Sequence, residues 1–121
     1  MLVFTEADSH EDDRRKLTAF RPTPDFPKAT EAKVINVKSD GVILGKHSHN
    51  HVEGFLLASG SCLIKTWTET KWLQEQELSA PTMFIFEPGE EHLLTCSKGT
   101  ILVGYMPVTF EDENNTPATH V

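Results

Sequence analysis

Between residues 32 and 106 the chain is a run of short apolar stretches, each closed after a few positions by turn-forming residues, with no apolar stripe at helical period. Ser39-Asp40-Gly41, Ser59-Gly60, Pro88-Gly89 and Ser97-Lys98-Gly99 are the clearest breaks. Glycine and proline set the backbone where it must reverse, and Ser and Asp side chains bond their own backbone there. The stretches between these breaks predict strands over 33–38, 42–49, 55–58, 61–67, 72–78, 82–86, 92–96 and 100–106. Residues 74–78 have a helix-forming composition as well, and are assigned to strand. Short strands with regular turns and no internal repeat give an all-β chain folded as a single barrel or sandwich.

At 121 residues the chain has length for one core and not for two. Three segments are expected: an N-terminal arm over 1–31 with a short strand near 17–20 and three close prolines, Pro22, Pro24 and Pro27; the barrel over 32–107; and a loose acidic tail over 108–121. The net charge of −7, with Lys and Arg scattered apart from Arg14-Arg15-Lys16, argues against a nucleic-acid partner. No apolar stretch approaches the ~20 residues of a membrane span. No membrane partner is therefore expected; the first residues also lack the basic start and apolar block of a signal peptide, and two cysteines outside any Cys-x-x-Cys pair give a cytoplasmic, reducing location as the expectation. Cys62 and Cys96 stand outside any Cys-x-x-Cys pair and are expected to be buried small hydrophobes.

Gly41-x5-His47-x-His49-x3-Glu53-x6-Gly60 carries the chemistry. Alternate residues of a strand share a face, so His47 and His49 point the same way, and Glu53 lies just beyond. Five fixed positions of this kind match by chance on the order of once in ten million starts. Glu87-Pro88-Gly89-Glu90-Glu91-His92 offers a further imidazole at the mouth of a later strand, where His92, Leu94 and Cys96 share a face. Three imidazoles and a carboxylate, His47, His49, His92 and Glu53, suit a divalent transition metal (Mn, Fe, Ni, Co, Cu or Zn) and are too rich in nitrogen for Ca or Mg. An octahedral ion so held keeps two positions for water or substrate.

These residues resemble the cupin family, whose members are small β-barrels of the double-stranded β-helix, or jelly-roll, type. The first cupin motif is matched at Gly41, His47, His49, Glu53 and Gly60, and the Gly-x-x-His core of the second at Gly89 and His92. The second motif departs where Pro81 stands for its leading glycine, Glu87 for its proline and Cys96 for its terminal asparagine. Over residues 33–107 the resemblance implies a single cupin barrel with the four ligands named above. Asp13-Arg14-Arg15-Lys16-Leu17-Thr18, together with Leu44-Gly45-Lys46-His47-Ser48-His49, is also similar to cupins that isomerise or epimerise sugar nucleotides, with Arg15 in place of their glycine.

The expected function is that of a metal-binding cupin enzyme on a small metabolite: isomerase, epimerase or lyase chemistry in which the ion polarises a sugar-like or carbonyl substrate. Two alternatives stay open, an Fe-dependent dioxygenase and a non-catalytic small-molecule or metal binder. Glu53, His51 and Tyr105 are the catalytic candidates: His51 continues the histidine alternation and could serve as a base or sit exposed at the barrel mouth, and Tyr105 could donate a proton from the pocket. Glu90 and Glu91 are expected to be solvated, and Lys46 and Lys65 could hold an anionic substrate. An open barrel leaves strand edges, so a homodimer is expected, with the arm over 18–27 pairing across the interface.

Overall fold

The alternation that a strand imposes on its side chains sorts this chain into an apolar interior and a polar exterior, and the sorting explains the architecture. The computed structural model describes residues 1–4, 6–21 and 26–121. In chain order the strands are β1 (Leu2–Phe4), β2 (Glu6–Glu11), β3 (Lys16–Phe20), β4 (Glu31–Asn36), β5 (Val42–Ser48), β6 (Glu53–Ser59), β7 (Ser61–Thr68), β8 (Trp72–Ser79), β9 (Thr82–Phe86), β10 (Glu91–Cys96), β11 (Ile101–Met106) and β12 (Thr116–Pro117), with one 3-10 turn at Phe110–Asp112. Two antiparallel five-stranded sheets, ordered β1-β9-β6-β11-β4 and β12-β5-β10-β7-β8, face each other, and β2 and β3 form a separate hairpin. This is the all-β fold that the turn spacing predicts, and its two facing sheets agree with the jelly-roll architecture that the resemblance to cupins implies. Residues 74–78 lie in β8 and are strand. Among the described residues no helix is long and apolar enough to cross a membrane.

The core sits between the sheets. Phe55 and Leu57 of β6, Cys62 and Ile64 of β7, Phe84 and Phe86 of β9, Leu94 and Cys96 of β10 and Leu102 of β11 form one buried cluster. Each full burial of such a side chain stabilises by roughly 1.5–3 kcal/mol. Cys62 and Cys96 are direct cross-strand partners with their sulfurs 3.1 Å apart, both thiols buried as small hydrophobes. Their mutual hydrogen bond, and then burial, push the Cys62 thiol up, which keeps it protonated.

One departure from regular pairing positions the site. Along β5, Val42 and Leu44 pack inward while Ile43 is exposed, so simple alternation would turn His47 outward. Between Leu93↔Gly45 and His92↔His47 the register slips by one residue, and Gly45 and Lys46 both take positive φ, +81° and +66°. This bulge adds the residue that carries His47 and His49 back to the inner face. Only glycine serves at 45, since a Cβ there would stand 2.9 Å from the carbonyl oxygen of His92.

The tail differs from its expected loose state. β12 pairs with β5, Thr116 opposite Ser48 and Pro117 opposite His47, and the Ala118 amide donates to Lys46 O at 3.1 Å. The edge of β5 would otherwise leave its backbone groups open, and the tail covers them over the Lys46–Ser48 end. The arm is likewise partly built into the barrel, with β1 paired to β9. Of the arm expected to reach a second subunit, 22–25 lie outside the described residues.

Candidate metal centre

Four elements deliver the site to one end of the barrel: His47 from the end of β5, His49 from the turn after it, Glu53 from the first position of β6 and His92 from the start of β10. Each contributes one donor atom, and these lie within 4.8 Å of one another. His49 Nε2 stands 3.3 Å and His92 Nε2 3.6 Å from the same oxygen, Glu53 Oε1. His49, Glu53 and His92 are buried.

The imidazoles are locked from behind. His49 Nδ1 donates to the Asn114 carbonyl at 2.8 Å, and His92 Nδ1 to the Glu90 carbonyl at 3.1 Å. Both rings must therefore present Nε2 to the site, with a lone pair when neutral. The His92 ring also lies flat on Phe86, centroids 4.1 Å apart and planes 2° from parallel, which fixes it over the apolar core.

Charge follows from this packing. Burial holds His92 neutral, pulling its pKa down to about 3 against the pull of Glu53. Burial, then the neighbouring His49, lower His47. Burial would raise Glu53, but its close contact with His49 and the Lys33 ammonium outweigh that and hold it at about 2. For His49 the same contact with Glu53 and the Asn114 carbonyl outweigh burial, so its pKa is raised.

Two side chains that sequence reasoning missed belong to the site. Lys33 of β4 turns inward and places Nζ 3.0 Å from Glu53 Oε2. The sequence carries no clear mark of it, since apolar residues fall on both parities of β4: in the structure Lys33 is inward with Ile35 while Val34 is 63 % exposed. Glu113, from the tail, places Oε1 3.4 Å from His49 Nε2 and 3.9 Å from Lys33 Nζ. No local pattern marks it.

The remaining candidates divide. His51 stacks on His49, centroids 4.9 Å apart, and is half-buried at the mouth. Its Nδ1 faces the Val52 carbonyl at 3.0 Å, and its Nε2 is buried without a partner. Tyr105 is not brought to the site: on β11 the inward positions are Leu102, Gly104 and Met106, and Tyr105 packs outside against Phe26, centroids 5.4 Å apart. Lys46 is exposed in the bulge, and Lys65 alternates with the inward Ile64 and Thr66, so neither reaches the donors. Glu90 and Glu91 are buried and not solvated. Glu90 takes the Met1 amino group and the Glu87 amide, and Glu91 takes the Thr119 and His120 amides with the His120 ring.

The residues fit a metal ion. Ligands about 2.0–2.1 Å from an ion stand about 3.3–3.4 Å apart in a tetrahedron and about 2.9–3.0 Å in an octahedron, close to the separations found. Among the described residues, His49 Nε2 and Glu113 Oε1 are buried without a hydrogen bond and face each other at 3.4 Å, with Glu53 Oε1 3.3 Å from the same nitrogen, an arrangement that a cation among them would satisfy. A cavity of about 140 Å³, walled by Leu44, Phe55 and Leu102, opens beside His47, Glu53 and His92.

No protein-family model and no curated protein matches the chain. Solved structures do resemble it. The TDP-quinovose 3,4-ketoisomerase WlaRB from Campylobacter jejuni is 17% identical, with 93% of this chain and 89% of that chain covered and a TM-score of 0.75. A mutant of the 3,4-ketoisomerase QdtA from Thermoanaerobacterium thermosaccharolyticum, in complex with TDP-4-keto-6-deoxyglucose, is 17% identical over 90% and 81% of the two chains, TM-score 0.73. The capsular polysaccharide assembling protein CapF from Staphylococcus aureus is 22% identical over 91% of this chain and 33% of its own, TM-score 0.62. At such identities the likeness establishes the fold.

Proposed function

We propose that this barrel is a metal-assisted carbonyl isomerase acting on a sugar-like keto compound, with the keto sugar of a nucleotide sugar as the first substrate to test. The observation that carries the reading is the convergence of two tautomer-locked Nε2 atoms on one oxygen of Glu53. The structural likeness to ketoisomerases supports the choice of substrate class. The cavity of about 140 Å³ has room for the reacting part of a sugar, while a nucleotide would lie along the mouth.

A divalent transition ion on His47, His49, Glu53 and His92 would supply Lewis-acid polarisation of the substrate oxygen. Glu53, ionised down to about pH 2, is too weak a base for proton abstraction near neutrality and suits an anionic donor instead. His51 is the better proton carrier: the Val52 carbonyl holds the proton on Nδ1 and leaves Nε2 able to accept one. It takes the proton from the carbon beside the carbonyl and returns one to the former carbonyl carbon, while a hydroxyl proton moves between the two oxygens. One C–H bond breaks and one forms, so no oxidant is needed. Phe86, behind His92, keeps the inner side of the centre dry.

The test is incubation of Mn(II)-loaded protein with TDP-4-keto-6-deoxyglucose in deuterated water. Deuterium entering the carbons at and beside the carbonyl, and its loss in His51→Asn and His49→Ala, is expected. Protein purified untagged without bound ion, with unchanged turnover in His49→Ala, overturns the reading. Ligand stabilisation without exchange points to a binder, and oxygen consumption with Fe(II) to a dioxygenase.

The proposal extends to a homodimer. The hairpin of β2 and β3 pairs with neither sheet and β2 is exposed along its whole length, and a second copy would cover it. A monomeric mass in light scattering at micromolar concentration would count against this.

A further inference from the structure

Four donors would hold the proposed ion, and Glu113 stands beside them as a further carboxylate. Glu113 follows the 3-10 turn at Phe110–Asp112, and its carboxylate points into the site with Oε1 buried and unpartnered. Around His49 Nε2 two carboxylate oxygens stand almost symmetrically, Glu53 Oε1 at 3.3 Å and Glu113 Oε1 at 3.4 Å. Both separations match neighbouring ligands of one ion. His49, His51 and Glu113 also bring donor atoms within 4.8 Å of one another, so the second cluster shares His49 with the first. The Asn114 carbonyl holds Nδ1 of His49, so its ring offers one nitrogen, and the two clusters cannot each hold an ion through it. Lys33 is the one ammonium beside two buried carboxylates among the described residues, and it lies closer to Glu53, at 3.0 Å, than to Glu113, at 3.9 Å.

The segment that carries Glu113 is clamped on both sides. Before it, the Phe110 amide donates to Glu31. After it, β12 pairs with β5, and His120 lies flat on Trp67, centroids 3.4 Å apart and planes 1° from parallel, while bonding Glu91. Residues 109–120 thus form a strap over the histidine end of the barrel. From inside the same strap come the Asn114 carbonyl that orients His49 and the Glu113 carboxylate that faces its Nε2.

We propose that Glu113 is a fifth protein donor of the metal centre, so that ion binding and docking of the C-terminal strap are coupled. This rests on the metal reading above and extends it to a segment that neither cupin motif contains. Coupling is reciprocal: an ion that bonds Glu113 only in the docked strap tightens the strap by the factor by which docking tightens the ion.

The experiment titrates Mn(II) into the full-length wild type, Glu113→Gln, His49→Ala and, as a control on the exposed 3-10 turn, Glu111→Gln. Hydrogen exchange is followed at the Ala118, Thr119 and His120 amides, which bond Lys46 and Glu91. In the wild type and Glu111→Gln, Mn(II) should slow exchange at these amides about tenfold or more. Glu113→Gln should weaken Mn(II) binding by about 10–100-fold and abolish the slowing, while its metal-free exchange stays at the wild-type rate. A merely structural Glu113 would instead loosen the metal-free strap. If Glu113→Gln binds Mn(II) as tightly as the wild type and still tightens the strap, while His49→Ala loses binding, the fifth donor is wrong and the four-donor site stands. If the wild type binds no Mn(II), both fall.

Discussion

At the end of the barrel far from the histidines, Thr100 is fully buried and its hydroxyl is fully engaged: it donates to Ser61 O at 3.2 Å, accepts the Ser61 amide at 3.2 Å and meets Ser97 Oγ at 3.0 Å. At the histidine end, buried polar atoms of His49, His51 and Glu113 make no hydrogen bond among the described residues. One chain thus closes one end of its barrel with satisfied polar groups and leaves polar atoms without hydrogen bonds at the other, where the proposed cation would sit. The first arrangement stabilises, since each hydrogen bond is made and nothing is left desolvated. The second costs stability, and such a cost persists where it serves a ligand.

If the two ends differ in this way, substitutions should separate stability from binding. The largest effect is expected at Gly60, whose φ is +83° and where a Cβ would stand 2.3 Å from Thr100 Oγ1 and 2.7 Å from Thr100 Cα. Gly60→Ala should lower unfolding stability by about 3 kcal/mol through overpacking and a strained backbone, read by urea denaturation. The Mn(II) affinity of the folded fraction should not move. A weakened site would show that the two ends are mechanically linked.

The complementary substitution is His92→Leu, which keeps an apolar side chain against Phe86 and removes a donor. Mn(II) affinity should fall by more than about 100-fold, while metal-free stability changes by less than about 1 kcal/mol, because a buried imidazole facing other acceptors contributes little. A large loss of metal-free stability would mean that the open end is held together by its polar contacts and not strained by them.

Acid should act on the open end. His92 is held neutral down to about pH 3, against 6.5 in the unfolded chain, so between these values the unfolded state binds more protons and stability rises with pH. That contribution is complete above 6.5 and is lost as pH falls toward 3. Glu53 acts in the same sense between 4.5 and about 2. His49, raised, acts oppositely: its contribution is complete below 6.5 and is lost as pH rises through its folded value. Metal-free protein should therefore lose about 2–3 kcal/mol from His92 between pH 6.5 and 4.5, and His92→Leu should flatten that slope. An unchanged slope in the variant would place the acid sensitivity elsewhere.

The closed end was the more legible in sequence. Its turns are announced by Ser39-Asp40-Gly41, Ser59-Gly60 and Ser97-Lys98-Gly99, and the strands between them follow from local composition. At the open end the two histidines and Glu53 were legible because they sit close together on adjoining elements, and His92 because it opens a strand. What escaped is nonlocal or aperiodic. The bulge at Gly45-Lys46 reverses the face of every later residue on β5, and only the conflict between Val42 and Leu44 on one parity and His47 and His49 on the other betrays it. Tyr105 follows the parity of its strand to the outer face. Glu113 reaches His49 from a tail whose composition reads as solvated, because its burial depends on the free edge of β5 sixty-odd residues away.

Lys33 gives the smallest and most discriminating effect. Its ammonium occupies Glu53 Oε2 at 3.0 Å and adds a like charge next to the position of an incoming dication. Lys33→Met keeps much of the aliphatic stem over Phe55, where Nζ now stands 5.9 Å from the ring centroid, and removes that charge. If the open end is short of a cation, the ammonium is a weak substitute for one, and Mn(II) should bind about tenfold tighter in the variant at pH 7, near 1.4 kcal/mol. Raising the salt concentration should narrow the gap only slightly, because Glu53 is buried. Weaker binding in Lys33→Met would reverse the interpretation: Lys33 would then be what orients Glu53 toward the imidazoles, and the unpartnered atoms beside it would answer to a substrate's hydroxyls and not to an ion.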